Sequence, residues 1–245
     1  MTFIDTPGFD DTSRSDVEIL GVIASCLQFA NSTGDKLSGV IYLHRIIDPR
    51  MEGSHMKNIR MFRKLCGDKN FRNVILCTTM WEKVTPNEGA VRERQLCDQS
   101  TFWGDMIRAG AKVRRHSGPD LRVSARNIAK ELVGKGTVIL QLQEELESKS
   151  LSETSAGKML MEGMQEMKRQ HEEEMQQLKA ELQAAGNTKE EIAALREYFQ
   201  KEVENLKRLN KELEKMRDED KKVHQERIDL LMAKLGEDPG WCVVC

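Results

Sequence analysis

The chain has 245 residues, with 38 Lys and Arg against 40 Asp and Glu, for a formal net charge of −2. This balance gives no polybasic argument for nucleic acid, and no apolar run is long enough to span a bilayer. A charged fraction of 32% with 5% aromatics suits a globular part joined to solvated helices better than one large core. The N-terminus lacks the basic, apolar and small-residue regions of a secretory signal. The six cysteines, at irregular spacing, read as reduced thiols, so a cytoplasmic protein is expected.

Residues 1–137 read as alternating strands and helices. Residues 2–5 form a short apolar strand that runs into Asp5-Thr6-Pro7-Gly8. Residues 16–30 carry Val17, Leu20, Ile23, Ala24 and Leu27 at helical spacing. Residues 37–43 have a buried-strand pattern. Residues 54–65 read as a helix with Gly67 just past its end as a C-cap. Residues 73–78 (NVILCT) are a continuous apolar run, as in a parallel strand covered on both faces. Residues 87–109 read as one helix stopped by Gly110, residues 111–115 as a weak strand, and residues 125–133 as a short amphipathic helix. The order predicts an α/β fold: an open, mostly parallel sheet with helices on both sides.

From about Gln141 the composition shifts to Glu, Lys, Gln, Leu and Met, with no proline before Pro239. Met164, Met167, His171, Met175, Leu178 and Leu182 follow 3/4 spacing. After Gly186 the pattern resumes at Ile192, Leu195, Phe199, Val203, Leu206, Leu209, Leu213 and Met216. Residues 141–235 therefore read as a coiled coil or long amphipathic helices broken once near Gly186, with stutters where 4-4 steps fall at His171 and Phe199. A short Cys-containing tail, residues 236–245, ends in Cys242-Val243-Val244-Cys245. That tail is open to three readings: lipidation, a redox or half-metal pair, or thiols with no special role. Lipidation at Cys242 or Cys245 would give peripheral membrane contact.

Three further segments complete the pattern. His44-Arg45 with Asp48, Arg50 and Glu52 makes a polar cluster just after a buried strand. It faces a ligand or a partner, or it is a salt-linked surface loop. The other histidines, at 55, 116, 171 and 224, have no metal-ligand spacing. At the end of the 73–78 strand stands Thr78-Thr79-Met80-Trp81-Glu82.

DTPGFDDT at 5–12, GVIYLHRIIDPRMEGS at 39–54, NVILCTTMW at 73–81 and the Ser124-Ala125 pair resemble fungal G-domain proteins with helical tails. That group is similar to the AIG1-type and septin-like branch of the P-loop GTPases. The resemblance covers about residues 1–133 and implies a GTP-binding protein, a GTPase-type switch in its full-length form, using GTP and Mg²⁺. It places Asp5 beside Mg²⁺ and the Gly8 N–H on the γ-phosphate. Residues 9–16 match the mobile second switch, and Ser124 and Ala125 match the element that meets the base. Thr79, Trp81 and Glu82 stand where the family reads guanine.

The sequence departs from that family in three ways. No Gly-x-x-x-x-Gly-Lys-Ser/Thr loop is present to cradle phosphates. The family's order puts that loop, the first strand and the first switch before Met1, whether through truncation, an alternative start or loss. The guanine-reading Asn/Thr-Lys-x-Asp is also missing. Trp81 has a donor only, so it either stacks on a base or packs over the strand end, and Glu82 can replace the Asp if the loop shifts by one. Adenine remains open as the base. Finally, Phe9 follows Gly8 where many GTPases have a water-orienting Gln. The alternative reading is a coiled-coil scaffold with a degenerate G domain. In either case the helical segment is expected to form homo- or hetero-oligomers, with no nucleic acid.

Overall fold

A computed structural model describes residues 3–9, 14–32, 36–48 and 54–184, and parts of the stretch between 197 and 218. The chain divides into two compact units, Met1–Ser148 and Lys149–Cys245.

The first unit is an α/β layer structure. In chain order it has α1 (Asp16–Ser32), β1 (Val40–Arg45), α2 (Ser54–Cys66), β2 (Val74–Thr79), α3 (Pro86–Asp98), α4 (Asp105–Arg108), β3 (Lys112–Arg115), α5 (Leu121–Lys130) and α6 (Gln141–Leu146). The three strands form one parallel sheet in sequence order, with Val40 opposite Val74 and Ile75 opposite Lys112. Central β2 is buried from Val74 to Thr78. Its side chains alternate between two cores. Val74 and Leu76 meet Ile59, Phe62 and Cys66 of α2, Leu96 of α3 and Met106 of α4. Ile75 and Cys77 meet Ile128 and Leu132 at and beyond α5. Each fully buried Val, Ile or Leu contributes about 1.5–3 kcal/mol, so the apolar run of β2 sets the middle of the sheet.

The helix ends follow local chemistry. Gly67 closes α2 at φ 77, as its position implies, and its N–H donates to the Arg63 carbonyl at 2.9 Å. Thr85 and Glu88 form a capping box at the start of α3. Asp120 caps α5, accepting from the N–H groups of Arg122 and Val123 at 2.9 and 3.1 Å. Asp120→Ala is expected to cost about 1 kcal/mol, read as a lowered urea midpoint at unchanged slope. An unchanged midpoint would remove the cap from the account.

Four expectations are corrected. Residues 3–8 form no strand, and Phe3 and Ile4 stand 64% and 49% exposed. A strand needs a partner for its backbone groups, and the sheet provides none for this segment. The first strand begins at Val40 rather than at 37, and Leu37 makes an isolated antiparallel bridge to Val138. Residues 87–109 are not one helix. The chain bends through Ser100–Gly104, with Phe102 off helical geometry at φ −99 and ψ −108. The bend drives Trp103 to 0% exposure in the core. Gly104 permits it, because a Cβ there would stand 2.9 Å from the Gln99 carbonyl oxygen. Helix α5 also starts earlier than expected, at Leu121 rather than at 125.

α6 belongs to the first unit and packs on α1 and α2. Lys69 pairs with Glu144 at 2.5 Å, and Asn70 Nδ2 donates to the carbonyls of Cys66 and Ile139 at 2.7 Å each.

In the second unit Ser150 and Glu153 form a capping box ahead of α7 (Ser155–Ala184). Gly157 lies against the Leu151 carbonyl, where a Cβ would overlap it at 1.9 Å. Met164 is buried, Met167 is 38% exposed, and His171 and Met175 are half-buried. Val203 and Met216 of the second repeat are described, Met216 as buried. The expected break at Gly186, the seam positions 192, 195, 199, 206, 209 and 213, and the tail with Cys242 and Cys245 lie outside the described residues.

Candidate functional site

In an open parallel sheet, ligands collect beyond the carboxyl ends of the strands. Here those ends are Arg45, Thr79 and Arg115. The loop after β1 crosses to β2, where Ile46 N–H donates to the Thr79 carbonyl at 2.9 Å. Thr79 Oγ1 donates to the His44 carbonyl at 3.4 Å. Arg92 of α3 holds the same loop, donating to the carbonyls of Ile46 and Ile47 at 3.1 Å each.

Within the polar cluster after β1, Arg45 and Asp48 pair with each other. Arg45 donates to Asp48 at 3.2 Å through both Nε and Nη2, and His55 Nε2 lies 4.0 Å from Asp48. His44 points inward at 6% exposure, edge-on to Trp103 and to His55 with ring centroids 5.9 and 6.0 Å apart. Burial is the main reason its imidazole falls to about 4. Arg50 and Glu52 lie outside the described residues.

After β2 the chain turns sharply. Met80 takes a left-handed conformation at φ 62, which is uncommon for a residue with a side chain. The turn lays Trp81 across the strand end, where its Nε1 donates to Thr78 Oγ1 at 2.9 Å. The Arg115 guanidinium sits over the ring, 4.2 Å from its centroid. Arg115 also makes a forked pair with Glu93 of α3, its Nε lying 3.0 and 2.9 Å from the two carboxylate oxygens. These bonds hold the guanidinium above its ordinary pKa range. Glu82, next to Trp81, is exposed.

The sequence-derived candidates fall into three groups in space. Thr79, Trp81 and Glu82 share the β2 end. Ser124 and Ala125 lie inside α5, and the Ser124 N–H already donates to the Asp120 carbonyl at 3.1 Å. Asp5 and Gly8 lie on the exposed N-terminal segment, which Asn58 of α2 anchors through the Phe9 carbonyl at 3.2 Å. A Cβ on Gly8 would meet nothing within 4 Å. Among the described residues no group of three or more His, Cys, Asp or Glu could hold a metal ion. The described residues around Asp5 therefore do not fit the phosphate-and-Mg²⁺ half of the implied site: Asp5 and Gly8 are both exposed, and neither belongs to a group that could hold a metal ion.

Glu93 and Arg115 were not singled out from the sequence. They are 22 residues apart, and only the α3–α4 crossover between β2 and β3 brings them together. The one available signal was an Arg as the last residue of a strand followed by a turn. Cysteine chemistry adds nothing here, since Cys26, Cys66, Cys77 and Cys97 are unbridged and burial pushes the Cys77 thiol up to about 11. No described helix is long and apolar enough to cross a membrane. No protein-family model matches the chain, and no curated protein matches it.

Proposed function

We propose that this chain is a GTP-binding protein of the P-loop GTPase type, in which the described sheet carries the base-facing side of the nucleotide site. The observation that carries the reading is the placement of Thr79 and Trp81 at the carboxyl end of the central strand of a parallel sheet. A purine needs a flat apolar surface and a few directed polar groups, and the β2 end has an indole, a hydroxyl and a carboxylate together. The helical segment that includes α7 serves assembly in this reading, through homo- or hetero-oligomers.

No hydrolytic step is assigned, because the residues around Asp5 do not fit Mg²⁺ and a triphosphate and because Phe9 cannot orient a water. A switch of the GTPase kind needs a phosphate cradle beyond these residues. One observation favours a second reading, a helical scaffold with a degenerate G domain: Arg115 covers the face of Trp81 that a base would use.

The test is titration of the chain with a fluorescent GTP analogue, with and without Mg²⁺, competed by GTP and by ATP. Saturable binding displaced by GTP is the expected result. Displacement by ATP as readily as by GTP would replace guanine with adenine. If nothing binds at high micromolar concentration, the scaffold reading takes over.

A further inference from the structure

The carboxyl end of β2 holds a slot that is already filled. Trp81 is its floor, fixed by the bond from its Nε1 to Thr78 and by Gly89, where a Cβ would stand 2.5 Å from ring carbon Cζ3. Glu93 is its wall, with a side chain only 14% exposed and Oε1 3.4 Å from Thr78 Oγ1. The occupant is Arg115, stacked 4.2 Å above the ring centroid and forked onto Glu93 through Nε and Nη2.

A guanidinium placed this way offers a flat delocalised face to the indole and adjacent N–H donors to a carboxylate. Guanine offers the same combination, a flat ring with N1–H and the 2-amino group side by side. Adenine does not, because its N1 is an acceptor. We propose that Trp81, Thr78 and Glu93 form a guanine-base subsite and that Arg115 closes it from within the chain until a base displaces it.

The inference rests on the nucleotide-binding reading above and goes beyond it. The reading carboxylate comes from α3 rather than from the strand-end loop, and the protein's own side chain competes for it. Displacement is feasible because the Arg115 side chain is 49% exposed at the last position of β3. Its departure leaves a mostly covered carboxylate without two donors, which is costly. Only a ligand that restores both donors offsets that cost, so the plug also selects.

The test uses the full chain and nucleosides, which carry no phosphate. The probe is the Trp81 indole N–H resonance, assigned by its loss in Trp81→Phe. In Arg115→Ala, guanosine is expected to shift this resonance saturably and bind at least tenfold more tightly than to the unmodified chain. Inosine, without the 2-amino group, should bind more weakly, and adenosine should not compete. Adding Glu93→Gln should abolish the preference for guanosine. Arg115→Lys keeps the charge without the fork. It should also bind guanosine more tightly than the unmodified chain, which covers failure of the alanine variant to fold.

Equal shifts with guanosine and adenosine, or no shift in either variant, would overturn the proposal. Methylguanidinium binding without guanosine binding would also overturn it, assigning the slot to a partner's arginine side chain instead. Guanosine binding to Arg115→Ala with no Mg²⁺·GTP binding to either protein would keep the subsite and sink the nucleotide reading. GTP binding without any effect of Arg115 would do the reverse.

Discussion

Trp103→Ala is expected to destabilise the first unit by about 3–5 kcal/mol, the range for emptying a large buried aromatic site. Trp103 is 0% exposed, among Ile59, Phe62, Leu96 and Met106. Its ring meets Tyr42 edge-on, with centroids 6.5 Å apart, and His44 at 5.9 Å. A domain of this kind is stable by only about 5–15 kcal/mol in total, so the variant should sit near its unfolding threshold. Trp103→Phe makes the contrast. The indole Nε1–H finds no hydrogen-bond acceptor among the described residues, and a buried unpaired donor costs about 1–3 kcal/mol. Phenylalanine removes that donor along with part of the ring, so the expected net loss is within about 1.5 kcal/mol. Urea midpoints at constant slope give both values. A Trp103→Phe loss well beyond about 1.5 kcal/mol would mean that lost ring volume decides the outcome and that the unpaired N–H costs nothing.

The bend that delivers Trp103 also shows where sequence reading runs out. The apolar run at 73–78 was legible as a covered parallel strand, because every position from Val74 to Thr78 is buried. Helix α1 was legible through its 3/4 spacing, and Gly67 marked the end of α2. Residues 87–109 looked like one helix because periodicity registers a face and not a break. The break at 100–104 exists to turn a tryptophan inward, which is a tertiary gain that no local propensity records. Residues 2–5 misled in the opposite way. Their composition suits a strand, but a strand is defined by its neighbour, and the edge of β1 does not pair with residues 3–8.

The candidate site was legible to the same degree. Thr79 and Trp81 lie at the end of a recognisable strand, so their location followed from the strand itself. What surrounds them did not. Arg115 meets Trp81 and Glu93 only after a crossover of helices has returned the chain to the adjacent strand. Asp5 and Gly8 were read from a motif whose chemistry depends on other segments, and the described structure leaves both exposed. A motif names the chemistry a segment can perform, whereas the geometry that enables it belongs to the sheet.

Acidification from pH 7.5 to 4 is expected to remove up to about 3 kcal/mol of stability through His44 alone, at about 1.36 kcal/mol for each tenfold change in proton affinity. Burial lowers the imidazole to about 4, His55 and Arg45 push in the same direction, and Asp48 opposes them. The unfolded chain takes up a proton near pH 6.5, but the folded chain does not until about pH 4. Stability from this group is therefore complete above 6.5, falls through the window between the two values, and is flat below it. Urea midpoints across that window test the point, with His44→Gln as the reference. The difference between the two proteins isolates His44 from carboxylates such as Glu131, which Arg114 and Lys112 hold below the ordinary range and which lose their contribution at lower pH. Parallel curves for the two proteins would remove His44 from the account. A protonated His44 would have to leave its place beside Trp103, and its carbonyl is the acceptor for Thr79 Oγ1. Loss of the buried imidazole should therefore loosen the β1 and β2 ends together, so ligand titrations of the Trp81 slot belong above pH 7, where this group is silent.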